Sequence, residues 1–287
     1  MTEPATIKQL IQYIRKELQQ YYPPREIEGI YFLLFEHILK YSKIEIHLNK
    51  EEGIHPDKIK KIKEAIVELK THKPIQYILG CTEFYEMEFK VNEHTLIPRP
   101  ETEELVHWIL QENQEKAAQI LDIGSGSGCI PISLAKNLPE AKVLSVDISE
   151  GALATAIENA SLNEVNVAFE QRDILKWKDY EWEVPFDIIV SNPPYVRESE
   201  KQAMEPNVLK YEPDSALFVS DSDPLIFYRT IANFANIHLK KGGKLYFEIN
   251  EYLGNEMVSL LEQTGYQNVQ LKKDINGRDR MVCAIKH

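Results

Sequence analysis

Asn192-Pro193-Pro194-Tyr195 follows Phe186-Asp187-Ile188-Ile189-Val190-Ser191, a run with the character of a buried strand. Prolines carry no N–H and hold φ near −65°, so the pair ends any ladder and stiffens the backbone. The residue before each proline is pushed towards extended geometry. The carbonyls of Asn192 and Pro193 are therefore fixed acceptors, with one side-chain amide and one aromatic ring beside them. Such a set suits a planar group bearing an NH2, either an amide or an exocyclic amine. A strand that merely stops at a proline turn is the plainer alternative.

A second constellation lies upstream. Asp122-Ile123-Gly124-Ser125-Gly126-Ser127-Gly128 sits between an expected strand and an expected helix. Glycines allow a tight turn and close approach of backbone N–H groups to a ligand. The next strand, Val143-Leu144-Ser145-Val146, closes on Asp147, whose carboxylate can accept from both ribose hydroxyls of a nucleoside cofactor. A dinucleotide would bring a pyrophosphate to the helix N-terminus. S-adenosyl-L-methionine has no phosphate but carries a sulfonium and an amino-acid tail. Asp122 and the Gly-x-Gly-x-Gly spacing point to the latter. Asp173, after the third strand, is either an acceptor for an adenine amino group or a cap of the turn that follows.

These groups need elements to hold them. From Gln119 onward the chain alternates strand and helix. Strands are expected at Ile120–Ile123, Val143–Val146, Val167–Gln171, Phe186–Ser191, Lys244–Ile249, Val269–Leu271 and Met281–Ile285. Helices are expected at Ile130–Leu138, Gly151–Leu162, Leu225–His238 and Tyr252–Thr264. Such alternation implies an α/β fold with a parallel sheet covered on both faces. Before it, Tyr85, Met87, Phe89 and Val91 alternate with charged residues, as a strand with one wet face does. Thr102 is the expected N-cap of a helix running through Trp108.

The N-terminal part reads as a helical bundle. Ile7, Leu10, Ile11, Ile14 and Leu18 fall at the helical period, Pro24 and Pro56 suit helix starts, and Ser42 with Glu45 fits a capping box. The expected domains are residues 1–75, a hairpin linker over 76–100, and a catalytic domain over 101–287.

The chain has 287 residues and a net charge of −12. Residues 1–75 hold 13 Lys+Arg against 11 Asp+Glu, and the remainder 20 against 34. The balance beyond residue 75 is thus −14, which would repel a polyanion; a duplex-binding protein usually carries a basic footprint. Direct DNA binding is not expected. Lys58, Lys60, Lys61, Lys63, Lys70 and Lys73 form the one basic cluster, read here as a solvated helix face. Cys81, Cys129 and Cys283 are scattered, without metal-ligand spacing, which fits a reducing cytoplasm and no metal site. No membrane span or signal peptide is expected.

Taken together, the motifs resemble those of bacterial peptide chain release factor glutamine methyltransferases. The resemblance rests on Pro74-Ile75-Gln76-Tyr77-Ile78-Leu79-Gly80, Leu96-Ile97-Pro98-Arg99-Pro100-Glu101-Thr102-Glu103, the loop Asp122 to Gly128, Ser191 to Tyr195, Tyr211-Glu212-Pro213-Asp214-Ser215-Ala216-Leu217 and Asn276-Gly277-Arg278-Asp279-Arg280. It implies a seven-stranded, Rossmann-like class I methyltransferase domain behind a helical recognition domain and a linking hairpin. It implies methylation of the side-chain amide of the glutamine in a Gly-Gly-Gln motif, with S-adenosyl-L-methionine as donor and release factors as partners. By matching position, Gly124, Ser125, Gly126, Ser127, Gly128, Asp147 and Asn192 would contact the cofactor, with Asp122 and Asp173 beside them. Relatives often place an aromatic after the Asp173 position, where this chain has Ile174. Asn192, Pro193, Pro194 and Tyr195 would hold the glutamine, with Tyr195 packed on the amide plane. Enzymes that methylate the adenine amino group of DNA or RNA share Asn-Pro-Pro-Tyr and are the alternative reading. A non-enzymatic adaptor and a nicotinamide oxidoreductase fit the acidic residues and glycine spacing less well.

Overall fold

The computed structural model describes residues 5–113, 117–182 and 185–287. In chain order the elements are α1 (Ile7–Leu18), α2 (Pro24–Leu34), α3 (Lys43–Leu48), α4 (Pro56–Leu69), α5 (Ile75–Leu79), β1 (Cys81–Phe84), β2 (Met87–Lys90), α6 (Pro100–Glu112), β3 (Gln119–Ile123), α7 (Cys129–Asn137), β4 (Lys142–Asp147), α8 (Glu150–Leu162), β5 (Ala168–Gln171) and β6 (Phe186–Ser191). There follow β7 (Val196–Arg197), α9 (Pro206–Tyr211), α10 (Asp214–Leu217), β8 (Phe218–Val219), α11 (Ile226–His238), β9 (Leu239–Glu248), α12 (Gly254–Gln263), β10 (Gln267–Lys273) and β11 (Asp279–Ile285). The chain divides into two compact units. One holds the residues up to Gly80 together with Glu205–Tyr211; the other holds Cys81–Met204 and Glu212–His287.

The first unit is helical. Ile7, Leu10, Ile14 and Leu18 of α1 meet Ile27, Ile30 and Leu34 of α2 and Ile62, Ile66 and Leu69 of α4 in one core. The stripe on each helix follows from the 3.6-residue period. The Ser42–Glu45 capping box is present: the Ser42 N–H donates to Glu45 Oε2 at 2.8 Å, and the Glu45 N–H donates to Ser42 Oγ at 3.3 Å. The expected boundary at residue 75 moves to Gly80, because Ile75, Ile78 and Leu79 of α5 pack on this core. Gly80 ends α5 at φ 74°, a conformation that glycine adopts without strain. Tyr211, at the end of α9, hydrogen-bonds Thr71 through its hydroxyl. The basic cluster is divided rather than continuous. Lys70 pairs with Glu17, Lys73 with Glu68, and Lys63 lies over the Tyr13 ring.

In the second unit, β1 and β2 form a tight hairpin. Tyr85 and Glu86, expected to begin the strand, instead form its turn with φ of 49° and 61°. Positive φ at both central residues matches the twist of the flanking strands. The hairpin is part of this unit's core rather than a linker. Phe84 and Phe89 stack edge-on, 5.9 Å apart, within the cluster that holds Leu105, Ile109, Ile120 and Val143.

The main sheet has seven strands in the order β10-β11-β9-β6-β3-β4-β5. Strands β5, β4, β3, β6 and β9 run parallel, while β11 is antiparallel to both its neighbours. Helices on both faces bury near-continuous apolar strands such as Leu245-Tyr246-Phe247. From β3 the chain winds outward to β4 and β5, then returns to β6 on the other side. The carboxyl ends of β3 and β6 therefore diverge at a topological switch point, the place where open α/β sheets bind ligands. Among the described residues, no helix is long and apolar enough to cross a membrane.

Candidate active site

A cavity of about 400 Å³ opens at this switch point. Its walls come from the loop after β3, the end of β4, the segment after β5, the Asn-Pro-Pro turn after β6, and Leu96 to Thr102. Gly124, Ser125, Gly126, Ser127, Asp147, Asp173, Ile174, Asn192, Pro193 and Pro194 all line it.

The loop after β3 is held by its own polar groups. The N–H groups of Gly124 and Ser125 donate to the Val146 carbonyl, at 2.8 and 3.2 Å. Asp147 receives the Gly126 N–H on Oδ2 and the Ser149 N–H on Oδ1, both at 2.9 Å. Its pKa is raised, by burial above all, with these N–H donors opposing. Beneath the loop Ser125 and Ser145 share a hydrogen bond of 2.5 Å, and Ser145 donates to Asp122 Oδ2 at 2.6 Å. Asp122 Oδ1 has no partner among the described residues. Burial pushes the Asp122 carboxyl up to about 8, against the pull of Ser145.

Three of the expected site residues stand outside the cavity wall. Asp122 lies buried behind the loop. Gly128, at φ 82°, is a packing position, where an added Cβ would lie 2.8 Å from Ile132 and 3.1 Å from Ala156. Tyr195, expected on the amide plane, is half-buried and packs against the core, and its hydroxyl donates to Glu248 Oε1 at 3.1 Å. The strand pairing explains this, since β6 feeds its next residues towards the end of β9, where Glu248 stands. Asp173 accepts from the Leu175 N–H at 3.0 Å, so it caps the short helix Ile174–Asp179 at the cavity edge.

Some residues that shape the site carry roles the sequence does not reveal. Thr102 is no N-cap: Pro100 starts α6 two residues earlier, and the Thr102 hydroxyl is buried and donates to Glu248 Oε2 at 2.7 Å. Asn192 Nδ2 donates to Thr102 Oγ1 at 3.4 Å. Arg99 lines the cavity and is gripped by buried Glu212. The available signal for Glu248 was one acid closing the apolar run Leu245-Tyr246-Phe247.

A sheet of this order, carrying a glycine loop and an acid-ended strand at its switch point, defines a methyltransferase. The comparisons agree. Residues 114–271 match the family described as a methyltransferase domain, and residues 9–80 match the PrmC N-terminal domain. The release factor glutamine methyltransferase of Flavobacterium psychrophilum is 50% identical over 269 residues, 92% of this chain and 94% of the relative. That of Bacteroides thetaiotaomicron is 46% identical, over 95% and 97%. The chain belongs to the release factor glutamine methyltransferase family and is an enzyme. Solved structures show the same fold at low identity. The human Mettl16 catalytic domain matches with a TM-score of 0.58 at 17% identity, over 75% of this chain and 82% of that one. A Pyrococcus furiosus methyltransferase matches at 0.51 and 18%, over 81% and 99%.

Proposed function

We propose that this enzyme transfers a methyl group from S-adenosyl-L-methionine to the side-chain amide nitrogen of the glutamine in the Gly-Gly-Gln motif of peptide chain release factors. The observation that carries the reading is the rigid Asn192-Pro193-Pro194 turn, set in the wall of the same cavity as Asp147.

The cavity's residues fit this cofactor. One half-buried acid, Asp147, stands in the cavity wall at the glycine loop, where its carboxylate would repel a pyrophosphate and favour a cation. Asp147 offers acceptor capacity to ribose hydroxyls, and Ile123, Val146, Ile148 and Ile174 supply apolar wall for a ring. When bound, S-adenosyl-L-methionine supplies an electrophilic methyl group on a sulfonium.

An amide nitrogen is a poor nucleophile because its lone pair is delocalised into the carbonyl. The protein's task is therefore orientation. Asn192 Oδ1 and the Pro193 carbonyl accept the two amide hydrogens, aim the nitrogen and stabilise the positive charge that develops on it. Positioning of this kind contributes roughly 7–11 kcal/mol in well-oriented systems. The nitrogen sheds its proton after transfer, when it is acidic, so no general base is required.

The N-terminal unit is assigned to recognition of the folded release factor, in the cytoplasm where translation runs. A glutamine on a loop offers few contacts of its own, and discrimination among proteins needs a second surface. Mass spectrometry after incubating enzyme, cofactor and a release factor tests the whole reading. A single methyl on the Gly-Gly-Gln glutamine is expected. An unmodified factor, or methyl transfer to adenine in DNA or RNA instead, would overturn it.

A further inference from the structure

Strand β9 is apolar through Leu245, Tyr246 and Phe247, and then ends on a buried carboxylate, Glu248. An acid in that place is costly unless it is hydrogen-bonded. Both of its oxygens are engaged. Oε2 accepts from Thr102 Oγ1 at 2.7 Å, and Oε1 accepts from Tyr195 Oη at 3.1 Å. Its backbone carbonyl takes the Tyr228 hydroxyl at 3.1 Å. Burial raises the Glu248 pKa, and the two hydroxyl donors with nearby Arg280 oppose that rise.

The partners are not a random set. Parallel pairing puts Ser191 opposite Phe247, so Asn192 and Glu248 are the next residues on neighbouring strands. Thr102 gives its single proton to Glu248, so towards Asn192 its oxygen can only accept. The Asn192 amide must then present Nδ2 to Thr102, as observed at 3.4 Å, and Oδ1 lies on the opposite side of the amide. Tyr195 ties the far end of the Asn-Pro-Pro turn to the same carboxylate.

We propose that Glu248 is a positioning residue for methyl transfer: through Thr102 it sets which way the Asn192 amide faces, and through Tyr195 it anchors the turn that carries Asn192. Glu248 touches no reacting atom. This rests on the reading of Asn192 Oδ1 as the acceptor for the substrate amide. Glutamine at position 248 could donate to Thr102, free the threonine proton for Asn192 Oδ1, and so favour the flipped amide.

The test compares Glu248→Gln, Thr102→Val, Thr102→Ser and Asn192→Ala in the full chain, with an intact release factor and S-adenosyl-L-methionine. Glu248→Gln and Thr102→Val are expected to lower kcat by about ten- to a hundredfold, with KM for the release factor and Kd for the cofactor near wild type. Thr102→Ser, which keeps the hydroxyl, should restore most of the rate. Adding Glu248→Gln to Asn192→Ala should cost no more than about twofold further, as expected of residues acting as a unit. Wild-type kcat in Glu248→Gln, or a loss that multiplies in full with that of Asn192→Ala, overturns the proposal. If Glu248→Gln does not fold, Thr102→Val against Thr102→Ser decides, and equal wild-type rates for both reject it. An impaired Asn192→Ala beside an intact Glu248→Gln rejects this inference alone. A near-wild-type Asn192→Ala rejects the acceptor reading and this inference with it.

Discussion

Arg99 and Glu212, 113 positions apart, meet in a charge-assisted hydrogen bond of 2.5 Å. The second oxygen of Glu212 accepts from the Ile97 N–H at 3.1 Å. One buried carboxylate thus fixes both ends of Ile97-Pro98-Arg99, the stiff segment that enters α6 and lines the cavity. Glu212→Ala would leave a buried N–H without a partner, costing about 1–3 kcal/mol. It would also free Arg99. Chemical denaturation should show that loss, and cofactor affinity should fall with it. Unchanged stability and affinity would remove Glu212 from the architecture of the site.

Asn192→Ala should lower kcat by about a hundredfold or more, with the fold and cofactor affinity largely kept. Misplacement of a reacting group by roughly 1 Å carries a cost of that size. Single-turnover kinetics on a release factor, with calorimetry for cofactor binding, checks it.

Asp147→Ala should weaken cofactor binding by about ten- to a hundredfold, since a hydrogen bond to a charged acceptor is worth roughly 1.5–3 kcal/mol. The side chain also receives the Gly126 and Ser149 N–H groups. A lower Tm without cofactor should therefore accompany the weaker binding. A Kd equal to wild type by calorimetry would remove Asp147 from the cofactor site.

Asp122 gives a pH signature. Its folded-state pKa, pushed up to about 8, stands above that of an unfolded aspartate near ~3.9. Between those values the folded state binds the extra proton, so this group's contribution to stability declines as pH rises. It is complete below pH ~4 and gone above about 8. Asp122→Asn cannot titrate. Its Tm should gain on that of the wild type as pH is raised through this window, cofactor being absent. Parallel Tm–pH curves for the two proteins would contradict the assignment.

Gly128→Ala should be among the most damaging small substitutions in the loop. The left-handed backbone alone costs roughly 1–2 kcal/mol for a residue with a Cβ. The new methyl would also press on Ile132 and Ala156. Thermal unfolding and cofactor titration should both report a loss, whereas Gly126→Ala meets no neighbouring atom and pays only the backbone term.

The sheet was legible in the sequence because each strand announces itself locally. An apolar run, a terminal glycine or acid, and a following helical period are all near-neighbour signals. The cofactor loop was legible for the same reason. Thr102 was misread because its role depends on Glu248, 146 residues away. No local pattern records that pairing, and a threonine two residues after a proline imitates a cap. Tyr85 was read as strand because alternation continues through the turn. Only the backbone at Tyr85 and Glu86 reveals the reversal. The Asn192-to-Tyr195 unit was visible as a unit, but not its division of labour. Asn192 to Pro194 line the cavity, and half-buried Tyr195 packs against the core with its hydroxyl on Glu248.

The chain leaves the second unit after Met204 and re-enters it at Glu212. The covalent backbone therefore passes between the two units three times. No single cut separates them. A protease acting after Gly80 would nick the protein and leave Glu205–Tyr211, a segment of the helical unit, on the other fragment. The two units are consequently not exchangeable cassettes. Anyone grafting a different recognition unit onto this methyltransferase must transplant residues 205–211 along with it, as a matched pair of inserts at two sites in the gene.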